Sequence, residues 1–317
     1  MTMRVLVLGH SSIVRRRVLA ALRAQPAVTG IAIASRQAVA APEPGIDYYV
    51  GYGAALAAAA WDLVYLSLPN ALHATWARAA LERGCHVLVD KPAFLHRQEA
   101  RECLDLAERS GLLLAESVVW DAHPVWDELE HLRAQFDCRW THIAATFCFP
   151  PFPPGNFRYD PALGGGALFD LGPYAVSCAR RFLGTPPQEL TARILSRHPQ
   201  TGVDTAFTLL ARVGEVGMTG QFGFTSAYNN RVELIGDTAS FIVEPAFTSS
   251  AEHVHALRYR GPAGEGVKEV VAADSFALYL QRVLAALTAG EYGAEQIRLE
   301  QDMETMMRLR QAAGCEA

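Results

Sequence analysis

Arg4-Val5-Leu6-Val7-Leu8-Gly9-His10-Ser11-Ser12-Ile13-Val14 reads as a short apolar strand, a tight turn and the start of a helix. The strand is a continuous Val/Leu run rather than an alternation, the pattern of a strand covered on both faces. Helical spacing follows over 13–23, then a second strand at 30–35, an Ala-rich helix near 54–60 and a third strand at 63–67. Beyond Pro69 the pattern continues as helix 73–83, strand 86–89, helix 97–110 and strand 112–116. Strands and helices alternating every 20 to 30 residues predict a doubly wound parallel sheet.

In such a sheet, ligands sit beyond the carboxyl ends of the strands, and anions favour the first strand-to-helix turn. The dinucleotide fingerprint G-x-G-x-x-G/A is met here only by its first glycine, in Gly9-His10-Ser11-Ser12-Ile13-Val14. Gly9, His10, Ser11, Ser12 and Ile13 are nevertheless the candidate cradle for a pyrophosphate, with the Ser11 hydroxyl as an extra donor. Val14 brings a larger side chain to the helix–strand packing than the usual small residue. Ser35-Arg36 closes the second strand where NAD-selective sheets carry a carboxylate; a guanidinium there suits a 2′-phosphate, which favours NADP. The alternative is a plain surface arginine. Leu68-Pro69-Asn70 and His73 follow the third strand, and Asp90-Lys91-Pro92 the next, so all reach the ligand edge. The extended conformation before proline turns Lys91 outward.

A second chemical stretch is Gly164-Gly165-Gly166-Ala167-Leu168-Phe169-Asp170-Leu171-Gly172-Pro173-Tyr174. Asp170 and Tyr174 are four apart on a predicted helix and share a face. They read either as an acid and a proton donor or as a capping carboxylate and a half-buried core phenol. The lead-in, residues 149–159, is too rich in proline for regular helix and predicts a stiff aromatic loop. Arg158 there can meet a diphosphate, with Tyr159 or Phe157 flanking a base or sugar, or it can pair with Asp160 or another carboxylate. From residue 204 on, alternating strands such as 206–213 and 218–224 predict a largely antiparallel sheet with one buried face.

These residues resemble the Gfo/Idh/MocA oxidoreductases. The family's E-K-P corresponds to Asp90-Lys91-Pro92, with Asp for Glu, and its G-G-G-x-x-x-D-x-G-x-H to residues 164–174, with Tyr174 in place of histidine. The glycine-poor loop followed by Arg16, the Pro-rich lead-in, residues 232–236 and Ala246-Phe247-Thr248 are most similar to nucleotide-sugar 3-ketoreductases of deoxysugar biosynthesis. The resemblance implies an α/β chain: an N-terminal Rossmann domain over 1–118 and a C-terminal α+β domain with a large, mostly antiparallel open sheet over 119–317. The final helix would pack back on the first domain. It also implies NADPH-dependent reduction of a sugar ketone, with Lys91, Tyr174 and Asp170 catalytic. Cofactor residues would be Gly9, His10, Ser11, Ser12, Ile13, Ser35, Arg36, Leu68, Pro69, Asn70, His73, Asp90 and Lys91. Substrate residues would be Phe152, Asn156, Arg158, Tyr159, Asp170 and Tyr174. A dehydrogenase of free sugar, inositol or dihydrodiol and a silent cofactor-binding regulatory protein are the competing readings.

Composition sets the class limits. The chain has 317 residues, half of them hydrophobic, and a net charge of −5, enough for two packed domains but no basic field for nucleic acid or anionic membrane. Arg15-Arg16-Arg17 reads as a solvated helix face. Six cysteines without a C-x-x-C pair suit free thiols, and neither disulfide nor zinc is expected. Met1-Thr2-Met3-Arg4 runs straight into a strand without a signal-peptide pattern, so a cytoplasmic location is expected. The other face of the C-terminal sheet can pack against a second copy, so a homodimer or homotetramer through that sheet is expected. His253-Val254-His255 shows no third metal ligand, and His123-Pro124 with Trp126 reads as helix-opening core.

Overall fold

The computed structural model describes residues 2–315; Met1, part of the leader reading, and the last two residues of the second domain lie outside them. The chain forms two compact units, one from the chain up to Ser117 plus Phe276–Met303, the other from Val118–Ser275 plus the chain from Glu304. The segment 276–303 clusters with the first unit, and the division falls inside the last helix.

The first unit carries a six-stranded sheet of order β3-β2-β1-β4-β5-β6. Its strands are β1 (Met3–Leu8), β2 (Val28–Ser35), β3 (Ile46–Val50), β4 (Leu63–Leu66), β5 (His86–Asp90) and β6 (Leu114–Ser117), all paired in parallel. β1 lies at the centre between β2 and β4, which is why Val5 to Leu8 are all fully buried. The connecting helices are a π-turn over Val14–Val18 running into α1 (Leu19–Arg23), then α2 (Tyr52–Ala58), α3 (His73–Leu81) and α4 (Arg97–Ser110). Gly111, left-handed at φ 62°, ends α4.

β3 is absent from the sequence reading. It is an edge strand behind Pro42, Pro44 and Gly45, with Ile46 its one buried residue, so it shows no hydrophobic periodicity. In the basic run Arg15 and Arg16 are exposed, as read, and reach back to the turn carbonyls of His10 at 2.9 Å and Ser12 at 3.3 Å, while Arg17 lies over Phe276.

The second unit is built on an eight-stranded sheet of order β14-β13-β12-β11-β7-β10-β9-β8. The strands are β7 (Trp140–Cys148), β8 (Glu189–Arg197), β9 (Asp204–Val213), β10 (Val216–Gly223), β11 (Asn229–Gly236), β12 (Ser240–Val243), β13 (His255–Gly261) and β14 (Gly264–Val270). All neighbours are antiparallel except β7 with β10. α5 (Val125–Gln135) packs on β13, and α6 (Ala167–Leu183) crosses β9, β10 and β7. Ile143, Ala145 and Phe147 face inward from β7, with Phe207, Leu209, Met218 and Phe222 from its neighbours. Thr208, Leu210, Thr219 and Gln221 alternate onto the opposite face, over a shallow depression of about 590 Å³.

α7 (Ser275–Ala289) and the first part of α8 (Gly293–Ala312) are tied to the first unit. Gln25 Nε2 donates to Ala277 O at 3.0 Å, the Tyr279 hydroxyl to Glu116 O at 2.7 Å, and the Tyr292 hydroxyl to Gly111 O. No helix among the described residues is long and apolar enough to cross a membrane.

Candidate active site

The turn after β1 is held very close to the end of β4. Gly9 sits at φ 107°, and a Cβ there would lie 2.0 Å from Ser67 O, so neither backbone nor space admits a side chain. Ser11 then meets Ser67 with hydroxyl oxygens 2.9 Å apart, and its own oxygen accepts from Val14 N–H at 3.2 Å. Ser67 donates to Asp90 Oδ2 at 2.6 Å, and Tyr65 donates to Asp90 Oδ1 at 2.5 Å. The Ser67 hydrogen is therefore already committed, so the hydrogen in the Ser11 contact belongs to Ser11. This changes the role expected of Ser11: its hydroxyl donates into the sheet rather than toward a pyrophosphate. Asp90 likewise points at Tyr65 and Ser67.

His10 stays close to the turn, edge-on to Tyr48 with ring centroids 6.0 Å apart, and its Nε2 is buried without a partner. Burial, with Arg15 nearby, pushes its pKa down. Ser12 is exposed, Ile13 half-buried, and Arg36 exposed directly beyond β2. The Ser35 hydroxyl donates to Gln37 O, bending the chain there.

His73 is fully buried at the start of α3 and is a brace between loops. One ring nitrogen lies 2.9 Å from Pro92 O and the other 3.0 Å from Leu68 O, so it joins the Leu68-Pro69-Asn70 and Asp90-Lys91-Pro92 segments and has no nitrogen left for a ligand. Burial pushes its pKa down, opposed by those carbonyls and by the Asp90 charge. His73→Ala is expected to cost about 3 kcal/mol in urea unfolding, from the cavity and the lost donor to a buried carbonyl. A change below about 1 kcal/mol would contradict the brace. Asn70 is buried and Lys91 half-buried, and the Lys91–Pro92 peptide is cis.

In the second unit two of the three glycines, Gly165 and Gly166, serve the chain's own packing. A Cβ on Gly165 would lie 2.6 Å from Arg158 O, and one on Gly166 (φ 117°) 2.5 Å from Asp204 Oδ1. Asp204, at the start of β9, accepts from Leu168 N–H at 2.6 Å and so caps α6 from across the fold. One turn on, buried Asp170 accepts from Arg158 Nε at 2.7 Å. The Arg158 guanidinium lies over the rings of Phe152 and Phe157 at 4.5 and 4.7 Å. Its pKa is raised: burial alone would lower it, but Asp170 and the nearby Tyr174 hydroxyl outweigh that. Of the two readings left open for Arg158, the structure shows the carboxylate pair.

Tyr174 is half-buried, its ring edge-on to Phe147 at 5.1 Å and tilted on Phe247 at 5.4 Å. Asn156 caps the turn carrying Arg158, accepting from Arg158 N–H at 3.1 Å, and the Tyr159 hydroxyl meets Phe152 N and O at 3.0 and 3.2 Å, closing the Pro-rich loop on itself. Asn230, 1% exposed, was not singled out from sequence; its Oδ1 accepts from Ala246 N and Phe247 N at 3.0 and 2.8 Å and sets Phe247 under Tyr174. An inward-facing Asn on a strand was the only available signal.

His123 lies beside His255 of β13, with ring centroids 4.1 Å apart, and His255 is 4.7 Å from His253, which precedes the strand. Among the described residues, no group of three or more His, Cys, Asp or Glu is placed to hold a metal ion, and the six cysteines are free.

The strand order of the first sheet, with a glycine turn after its central strand, is that of dinucleotide-dependent oxidoreductases. Family comparison makes the class specific. The chain belongs to the Gfo/Idh/MocA family: residues 3–117 match its "Oxidoreductase family, NAD-binding Rossmann fold" and residues 128–242 its "GFO/IDH/MocA C-terminal domain". It is 32% identical to the dTDP-3,4-didehydro-2,6-dideoxy-alpha-D-glucose 3-reductase of Streptomyces violaceoruber, over 98% of this chain and 92% of that protein. It is 36% identical to D-xylose 1-dehydrogenase (NADP(+)) 2 of Haloferax volcanii, over 73% of this chain and 69% of that one. The crystal structure of KijD10, a 3-ketoreductase from Actinomadura kijaniata, in complex with NADP and TDP-benzene, superposes with a TM-score of 0.91 at 29% identity, covering 99% of this chain and 98% of that one.

Proposed function

We propose that this oxidoreductase uses NADPH to reduce the 3-keto group of a nucleotide-linked deoxyhexose. The observation that carries the reading is Tyr174: a half-buried phenol on the glycine-led helix, walled by Phe147 and Phe247, in a chain similar over its length to reductases of such sugars.

The residues at the first sheet's edge fit the cofactor. His10 Nε2 is an orphaned buried nitrogen beside the Gly9 turn, and Arg36 is an exposed cation beyond β2. Gly9 to Ile13 would hold the pyrophosphate, Ser35 and Arg36 the phosphorylated ribose, and Leu68 to Asn70 the segment toward the nicotinamide. When bound, NADPH supplies the hydride to the ketone carbon. Tyr174 gives its proton to the ketone oxygen. The Lys91 ammonium stabilises the negative charge growing on that oxygen. Asp170, fixed by Arg158, sets the helix turn below Tyr174, and Phe152, Asn156 and Tyr159 shape the sugar-nucleotide end.

Saturable NADPH oxidation with a dTDP-linked 3-keto sugar supports the reading. Turnover of free aldoses alone would move it toward the xylose dehydrogenase relative. Arg36→Gln is expected to weaken NADPH about 10- to 100-fold while leaving NADH within about twofold, since one charge-assisted contact is worth about 1.5–3 kcal/mol. Equal loss for both cofactors would remove Arg36 from the 2′-phosphate.

The outward sheet face, with Leu195 and Leu210 each more than half exposed, suits a second copy of the chain. Leu210→Arg is then expected to convert a dimer or tetramer to a smaller species in sedimentation. A wild type that already sediments as a monomer would contradict this.

A further inference from the structure

We propose that Ser67, fixed by Ser11 of the first turn, is a positioning residue that keeps Asp90 an oriented carboxylate beside Lys91; the inference rests on the reading of Lys91 above. Three hydrogen bonds run in one direction to Asp90, and a fourth meets it from Tyr65. Val14 N–H donates to Ser11 Oγ at 3.2 Å, Ser11 O–H to Ser67 Oγ at 2.9 Å, and Ser67 O–H to Asp90 Oδ2 at 2.6 Å, while Tyr65 O–H meets Asp90 Oδ1 at 2.5 Å. Each carboxylate oxygen thus receives one donor, and each hydroxyl hydrogen is spent.

A protonated Asp90 would set its own hydrogen against one of the two donors, so the chain of bonds selects the ionised acid. That selection matters because burial pushes the Asp90 pKa up, and only the bonds from Ser67 and Tyr65 and the charges of His73 and Lys91 hold it back. Tyr65 cannot relieve the site by ionising: burial and the Asp90 charge push its phenol well above its usual range. An ionised Asp90 gives the neighbouring Lys91 a fixed anion.

The local backbone serves the same arrangement. Ser67 N–H donates to Leu8 O at 2.9 Å, Gly9 N–H donates to Ala34 O at 2.9 Å, and the bare Cα of Gly9 lets the turn touch Ser67 O. Ser11 stands where the dinucleotide fingerprint has its second glycine. Its hydroxyl connects the cofactor turn to the segment that carries the lysine.

Ser67→Ala, Ser67→Thr and Ser11→Ala test this. In Ser67→Ala the acid limb of the kcat profile is expected to move up by about one pH unit, with KM for the ketone within about twofold of wild type. Ser67→Thr, which keeps the hydroxyl, should restore the wild-type profile, and Ser11→Ala should move the limb in the same direction by less. The second readout needs no turnover: in cofactor-free protein labelled with ¹³C at aspartate carboxyls, the Asp90 resonance should titrate about one unit higher in Ser67→Ala. A folded Ser67→Ala protein whose Asp90 titration is unchanged overturns the inference, whatever its activity. A shifted Asp90 titration in a protein whose wild type reduces no ketone would instead overturn the catalytic reading and leave the hydrogen-bond chain standing.

Discussion

Tyr174→Phe is expected to lower kcat for ketone reduction by roughly 10²- to 10⁴-fold, the usual worth of a positioned general acid, with NADPH affinity within about threefold of wild type. The substitution removes one oxygen and keeps the ring, so the contacts with Phe147 at 5.1 Å and Phe247 at 5.4 Å survive and the helix stays packed. The loss therefore belongs to the proton rather than to the fold. If both groups act on the developing oxyanion as proposed, combining it with Lys91→Ala should add less than the product of the two single effects. Steady-state kinetics on the four proteins reads this directly. Full ketoreduction by the double variant would remove both residues from the chemistry.

The second unit should be acid-labile because of two histidines. His123 and His255 are 3% and 2% exposed, with rings 4.1 Å apart. Burial is the main cause that brings each pKa from 6.5 down to about 4; for His123 the charges of His255 and His253 add to it, and for His255 that of His253. The folded chain thus keeps these rings neutral where the unfolded chain takes up protons. Stability from this source is full above pH 6.5 and is lost as pH falls toward 4. A shift of that size is about 3 kcal/mol for one ring, and less than twice that for the coupled pair. His123→Asn offers an acceptor for the Val125 N–H that His123 Nδ1 binds at 3.1 Å, and it cannot titrate. Between pH 7.5 and 4.5 the variant should lose about 3 kcal/mol less in urea unfolding than wild type. Equal losses would show that the ring is not the acid-sensitive element.

The parallel sheet was legible because its central strands are covered on both faces and read as unbroken apolar runs. Edge strand β3 was not, since a strand with one buried residue leaves no periodic trace. The glycine stretch 164–166 was legible as a special backbone, but its reason was not. Nothing local announces that Arg158 O and Asp204 Oδ1 would collide with a Cβ there. The same limit applies to the side chains around the site. Asp90-Lys91-Pro92 and Asp170 with Tyr174 stand out by their spacing, whereas Ser67 and Asn230 matter through partners 23 and 16 to 17 residues away. His123 and His255 are 132 residues apart in sequence, so their contact exists only once α5 lies on β13.

Hydride delivery to the sugar is the central claim, and isotope transfer tests it most directly. Purified protein is incubated with NADPH deuterated at the transferring position and a dTDP-linked 3-keto-2,6-dideoxyhexose, and the product is read by NMR. One deuterium per molecule at C3 of the sugar, formed roughly 10²- to 10⁴-fold more slowly with Tyr174→Phe, is the expected result. Unlabelled sugar alongside turnover of free aldoses or polyols, or tight NADP binding with no transfer to any sugar, would contradict it.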